Sequence, residues 1–191
     1  MQIDARIDLL ARDANAAPTA DASQRQTKDG CSILSLAAAS YGARPSRDAT
    51  VPTGFDPATV TLFEALVEGA YLVANADGVF DEDERRVFER VVAASCGGKV
   101  TPNQITALVA DLHDRMRDDG VEPRIAAIAK AATKRAQACE ILRIAALLAQ
   151  ASNDVSESER AMLDKIATAC GLSALDVDSA LAGVRVLLDG K

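Results

Sequence analysis

Five carboxylates fall within eight residues: Asp77, Asp81, Glu82, Asp83 and Glu84. Oxygen donors gathered this closely suit a hard divalent cation, Ca²⁺ or Mg²⁺, which takes several oxygens from one short loop. They also suit the start of a helix, where carboxylates accept from free backbone N–H groups and are favoured by the helix dipole. A standard EF-hand is excluded. In the register that puts Asp77, Gly78, Phe80, Asp81 and Glu84 at loop positions five, six, eight, nine and twelve, Val73 falls at position one, which requires an acidic ligand. Glu64 and Glu68 stand one turn apart on the preceding stretch. Like charges at that spacing read as a solvated face, unless both point into the pocket of the turn.

Other chemistry is thin. His113, the only histidine, sits between Asp111 and Asp114 on the polar side of a helical stretch and reads as a surface residue. No serine, cysteine or lysine has a recognisable activating partner nearby in sequence. Gly97-Gly98 is a helix stop without the strand and lysine of a phosphate loop. Arg85, Arg86 and Arg90 pair at helical spacing with Glu82 and Glu89, a salt-bridged surface. Cys31, Cys96, Cys139 and Cys170 are scattered, with no CxxC pair, which fits neither a zinc site nor a disulfide framework. A reducing cytoplasm is the simplest setting, and Cys96 and Cys170, each before a glycine, read as buried small apolar residues. No enzyme is expected.

The elements that position the acidic run come from a duplication. Ala76 to Arg85 (ADGVFDEDER) recurs, without a gap, as Ala151 to Arg160 (ASNDVSESER), 75 residues on. Apolar pairs keep the register beyond it: Val87/Met162, Phe88/Leu163, Val91/Ile166 and Val92/Ala167. Each copy reads as a helix end, a tight turn and a capped helix start. Gly78 supplies a positive-φ residue, replaced by Asn153 in the second copy. Phe80 and Val155 plug the turns into the core, and Asp81 with Glu84, like Ser156 with Glu159, forms a capping box.

Around these turns the signals are helical throughout. Asp56-Pro57 opens a helix with Leu62, Leu66, Ala70 and Val73 in register, and Cys96-Gly97-Gly98 ends the next. Thr101-Pro102 with Gln104 starts a third, Pro123 a fourth, and Ala138 to Leu148 lie in a fifth whose nearly continuous apolar surface places it centrally. Ser156 caps a sixth and Ser173 a seventh. Few aromatics, no Trp and only six prolines favour helices over sheet. The expectation is an all-α fold: a compact seven-helix bundle of two pseudo-repeated halves over 56–191, preceded by a largely flexible arm over 1–55 that leaves room for short helices. Within the arm, the Ile33–Ala37 patch is free to dock on the domain or on a partner.

The net charge of −7 falls wholly on 56–191, since 1–55 holds six acids and six bases. An acidic domain with no basic stripe repels phosphate backbones, so nucleic-acid binding is not expected. No apolar run approaches bilayer-spanning length and Met1 to Arg6 lacks a signal-peptide pattern, so neither membrane insertion nor export is expected.

Leu72 to Glu84 resembles the signature of the tellurite-resistance TerB-like family: Ala-Asp-Gly, an apolar residue two further on, then Ser or Asp, then Glu three beyond. That family also includes the N-terminal region of the membrane-anchored DnaJ-like co-chaperone DjlA. The second turn and Ile166 to Ser173 are similar to its C-terminal half. The resemblance covers about residues 56–188. It implies a helical bundle of two pseudo-repeats, a cytoplasmic stress-linked role, and acidic residues acting as a metal-ion site. Carried over by position, these are Asp77, Asp81 and Glu84 in the first half and Glu159 in the second. Ser152 stands where the family often has Asp and Asn153 where it often has Gly, which leaves a single site, in the first half, as the expectation. The leading functional expectation is a non-enzymatic module that binds other proteins, such as stress-response complex components, with a divalent cation as the one cofactor left open. The alternative is a metal-independent scaffold or homodimerisation module; a hydrolase is disfavoured by the missing nucleophile–base pair.

Overall fold

The computed structural model describes residues 9, 12, 32–44, 56–152 and 155–189. Eight helices can be bounded among them: α1 (Ile33–Gly42), α2 (Pro57–Ala74), α3 (Glu82–Ser95), α4 (Pro102–Asp119), α5 (Val121–Ala131), α6 (Arg135–Ser152), α7 (Glu157–Ala169) and α8 (Ala174–Asp189). Strand is absent among the described residues.

Helices α2 to α8 are the seven expected from Asp56 onward. Asp56 closes the start of α2, accepting from the Ala58 N–H at 3.0 Å and the Thr59 hydroxyl at 2.6 Å. From Leu62 to Val73 only Glu64 keeps partial exposure. By length and hydropathy α2 is apolar enough to cross a membrane, but 67% of it is buried inside the bundle. The expectation that no run reaches spanning length is corrected on this point: Glu64 and Glu68 interrupt the run in sequence, and the fold uses the helix as its core. It lies against α6, the other central helix, buried through Ala138, Ile141, Leu142 and Ile144 to Ala149. Gly69 sets their closeness, because a Cβ there would meet Ile141 Cγ2 at 2.9 Å. Burying side chains such as Phe63, Leu66 and Ile141 contributes about 1.5–3 kcal/mol each.

The remaining helices start and stop largely where the caps predict. Capping boxes open α3, α4 and α7 at Asp81/Glu84, Thr101/Gln104 and Ser156/Glu159. The start of α5 differs from the expectation: it begins at Val121, directly after Gly120 with φ 81°, and Pro123 sits inside its first turn, where no N–H is needed.

The eighth helix is α1, and it falls within the stretch read as an arm. Of the two roles left open for the Ile33–Ala37 patch, docking on the domain is the one observed. Leu34, Ala37, Ala38 and Tyr41 are buried, and the Tyr41 ring lies 4.6 Å from that of Phe63. The last residue of α1 touches backbone, since a Cβ on Gly42 would meet the Lys99 carbonyl oxygen at 1.8 Å. Lys99 Nζ donates to the buried Ser35 hydroxyl at 2.6 Å, and Gln104 Nε2 to the Gly42 carbonyl at 3.2 Å. The amphipathic stretch from Ile3 to Leu10 and the prolines Pro45 and Pro52 lie outside the described residues, apart from Leu9, which is helical.

Candidate functional site

The acidic turn joins α2 to α3. After Ala74 the chain turns through Asn75 to Gly78, whose φ of 80° is the positive value expected there. Asp77 Oδ1 accepts from the Val79 N–H at 2.9 Å and so holds the turn closed. Phe80 then returns to the core, meeting Tyr71 and Phe88 edge to face at 5.2 and 5.9 Å. With Phe80 pointing in, Val79 points out and is 60% exposed, an apolar residue at the tip of an acidic loop.

Each carboxylate assigned to a cation has a backbone task. Asp81 Oδ1 accepts from the Asp83 and Glu84 N–H groups at 2.9 and 2.8 Å, and Glu84 Oε2 accepts from the Asp81 N–H at 3.1 Å. Glu82 and Asp83 lie against arginines of their own helix. Glu82 meets Arg85 at 3.3 Å and Arg86 at 3.5 Å, and Asp83 meets Arg86 at 3.2 Å. In the second half, Glu159 performs the same box, accepting from the Ser156 N–H at 2.8 Å. Asn153 and Asp154 lie outside the described residues. The structure thus brings Asp77, Asp81 and Glu84 into one turn and keeps Glu159 in the other repeat. Among the described residues no three His, Cys, Asp or Glu side chains are gathered to hold a metal ion. The backbone N–H groups take one oxygen each of Asp77, Asp81 and Glu84, Oδ1 of the aspartates and Oε2 of Glu84, so an ion there would have to be held by the other oxygens.

Glu64 and Glu68 do not form the solvated face expected of them. Glu68 is only 4% exposed, and Arg124 of α5 grips it with Nε at 2.6 Å and Nη2 at 2.9 Å. The same guanidinium reaches Asp119 at 3.1 Å, and its hydrogen bonds to Glu68 hold it charged above its ordinary range. Glu64 lies between Arg44 at 3.1 Å and Arg115 at 3.4 Å. Arginine, rather than a metal ion, neutralises both. Sequence could not pair Glu68 with Arg124, which lies 56 residues away on another helix.

The other chemistry-bearing groups are structural as well. His113 is exposed as expected, but its Nδ1 meets the hydroxyl of the buried Tyr71 at 3.1 Å. Cys96, Cys139 and Cys170 are unpaired, and burial raises their thiols, that of Cys96 to about 12, far from a reactive thiolate. Cys31 lies outside the described residues. A shallow cleft between α5 and α7, lined by Ile125, Thr168 and Ala169, is bridged by Lys165 and Glu122 at 2.8 Å.

Comparison with known proteins bears on the bundle and both its turns. The family model for the tellurite resistance protein TerB matches residues 63–182, from Phe63 in α2 to Ala182 in α8. Neither the curated proteins nor the solved structures gave a match. The family span covers well over half of the 191 residues, includes both repeated turns and leaves out α1. This chain belongs to the TerB family of tellurite resistance proteins.

Proposed function

We propose that this TerB-family protein is a non-enzymatic cytoplasmic module that serves a stress response by binding another protein. The carrying observation is the tip of the first turn, where Val79 stands 60% exposed in a frame of carboxylates. A partner with a small apolar pocket ringed by lysine or arginine is the natural complement to that surface. The free, high-pKa cysteines are in keeping with a reducing compartment.

Complementation tests the reading. Cells lacking the protein should lose tolerance to tellurite or a related oxidant, and Val79→Arg should fail to restore it while melting at the wild-type temperature. Full rescue by Val79→Arg would show that the tip is not the contact.

A cation at the turn is the second reading, favoured by the surplus of carboxylates in the first copy. It would use the second oxygen of Asp77, Asp81 and Glu84, since the backbone N–H groups occupy only Oδ1 of each aspartate and Oε2 of Glu84. Calorimetry with Ca²⁺ and Mg²⁺ over roughly the micromolar to low-millimolar range decides it. Heat that survives Asp77→Asn combined with Glu84→Gln would place the ion elsewhere.

A further inference from the structure

Helix α8 buries one face and leaves the opposite one without a partner among the described residues. Val177, Leu181 and Val184 are buried, while Leu175, Ser179, Ala182 and Val186 form a stripe on the far side. Leu175 is 74% and Val186 58% exposed, the first and third most extensive exposures among the large apolar side chains described. The stripe follows the alternating four- and three-residue spacing of a helix-pairing seam.

We propose that this face pairs antiparallel with the same face of a second copy of the chain. The stripe reads the same from either end. About its midpoint, Leu175 meets Val186 of the other copy and Ser179 meets Ala182, so large residues close the ends and small ones let the backbones approach at the centre. The charges that flank it repeat this symmetry. Asp178 and Arg185 occupy the same edge of the seam, where antiparallel pairing sets each opposite the other's counterpart, giving two interchain ion pairs by the two-fold axis. Asp178 bonds Arg160 at 2.8 Å yet keeps 56% of its side chain exposed, leaving oxygen surface for a second cation. Arg185 is exposed, and its guanidinium has no carboxylate partner among the described residues. A parallel pairing would instead put this edge against the opposite edge of the partner seam, where Asp176 and Gly183 stand, and would lose both Asp178–Arg185 pairs.

One helix pair falls short of the ~1,200–2,000 Å² of a standard stable interface, so the dimer is a weak one, with Kd on the order of 100 µM. Sedimentation equilibrium of the full chain from roughly 10 µM to 1 mM should show the mass double with concentration. Leu175→Glu and Val186→Glu, both at exposed positions, should each weaken association at least tenfold without lowering Tm. Arg185→Asp should weaken it too, and the exchange Asp178→Arg with Arg185→Asp should restore it to within about threefold, because the swapped charges still face each other. A monomer at every concentration, or a dimer indifferent to Leu175→Glu, overturns the proposal; the second outcome would place the interface elsewhere. Failure of the charge exchange to restore association overturns the antiparallel register. None of these outcomes touches the partner surface at Val79.

Discussion

The acids of α2 and those of the turn that follows it lie within twenty residues of each other, yet they are neutralised in opposite ways. Glu68 is buried, and its carboxylate is matched by a forked guanidinium from a distant helix. Asp81 and Glu84 are exposed, and their charge is spent on N–H groups a few residues away. Burial decides between the two. A charge taken out of water needs a full counter-charge with matched geometry, whereas one left in water needs only a dipole to face. The acids that look most like a site in sequence are therefore local, and those that look like surface hold three helices together.

Removing the guanidinium breaks this contrast hardest. Arg124→Ala leaves Glu68 charged and unmatched in the core, so a loss of about 3–5 kcal/mol is expected in chemical denaturation. The double variant Arg124→Met with Glu68→Met should recover most of that loss, because no charge then remains buried. If Arg124→Ala costs no more than a surface substitution, the pair is not the clamp its geometry describes.

The two turns sharpen the same comparison, since one caps with carboxylate and the other with hydroxyl. Asp81 and Ser156 occupy equivalent positions and accept from equivalent N–H groups, at 2.8 Å from Glu84 and 3.2 Å from Glu159. The arginines after them diverge. Arg85 stays with Glu82 and Glu89 of its own helix, while Arg160 holds Asp164 of its own helix at 3.1 Å and also reaches Asp178 of α8 at 2.8 Å. Asp81→Ala and Ser156→Ala should each cost ~1 kcal/mol, about 2–4 °C in Tm, despite the difference in charge. Asp81→Ser should stay within a few tenths of a kcal/mol of wild type. A much larger loss for Asp81→Ser would mean that the charge itself has work beyond capping.

Legibility followed the range of each interaction. Caps, helix stops and the positive φ of Gly78 depend on residues within four positions, and they were readable one by one. The Phe80 plug was readable because the second copy keeps an apolar residue there. What escaped needs two distant segments at once: Arg124 on Glu68, His113 on the Tyr71 hydroxyl, and Lys99 on Ser35. Docking of the Ile33–Ala37 patch was left undecided between domain and partner for a related reason, since the buried face of α1 (Leu34, Ser35, Ala37, Ala38 and Tyr41) carries little amphipathic signal. Val79 could have been found, because a turn that commits Phe80 to the core must turn its neighbour outward.

The smallest expected effect comes from a half-buried acid that serves both kinds of partner. Asp176 accepts from the Ser173 N–H and hydroxyl, both at 2.8 Å, and from Arg135 at 2.7 Å. The hydrogen bond from the Ser173 N–H, then that from its hydroxyl, lowers the Asp176 pKa, with Arg135 adding to the effect. The unfolded chain then takes up the proton first, near the ordinary value of about 3.9. Stabilisation is complete above that range and disappears as pH falls through the lowered folded value. Asp176→Asn keeps an oxygen for the N–H but loses the charge, so the expected cost is about 0.5 kcal/mol at neutral pH. Measured as Tm against pH, the gap between wild type and Asp176→Asn should be constant from neutrality down to about pH 5 and close below pH 4. A gap that persists unchanged into acid would assign the cost to packing and remove Asp176 from the acids whose charge matters.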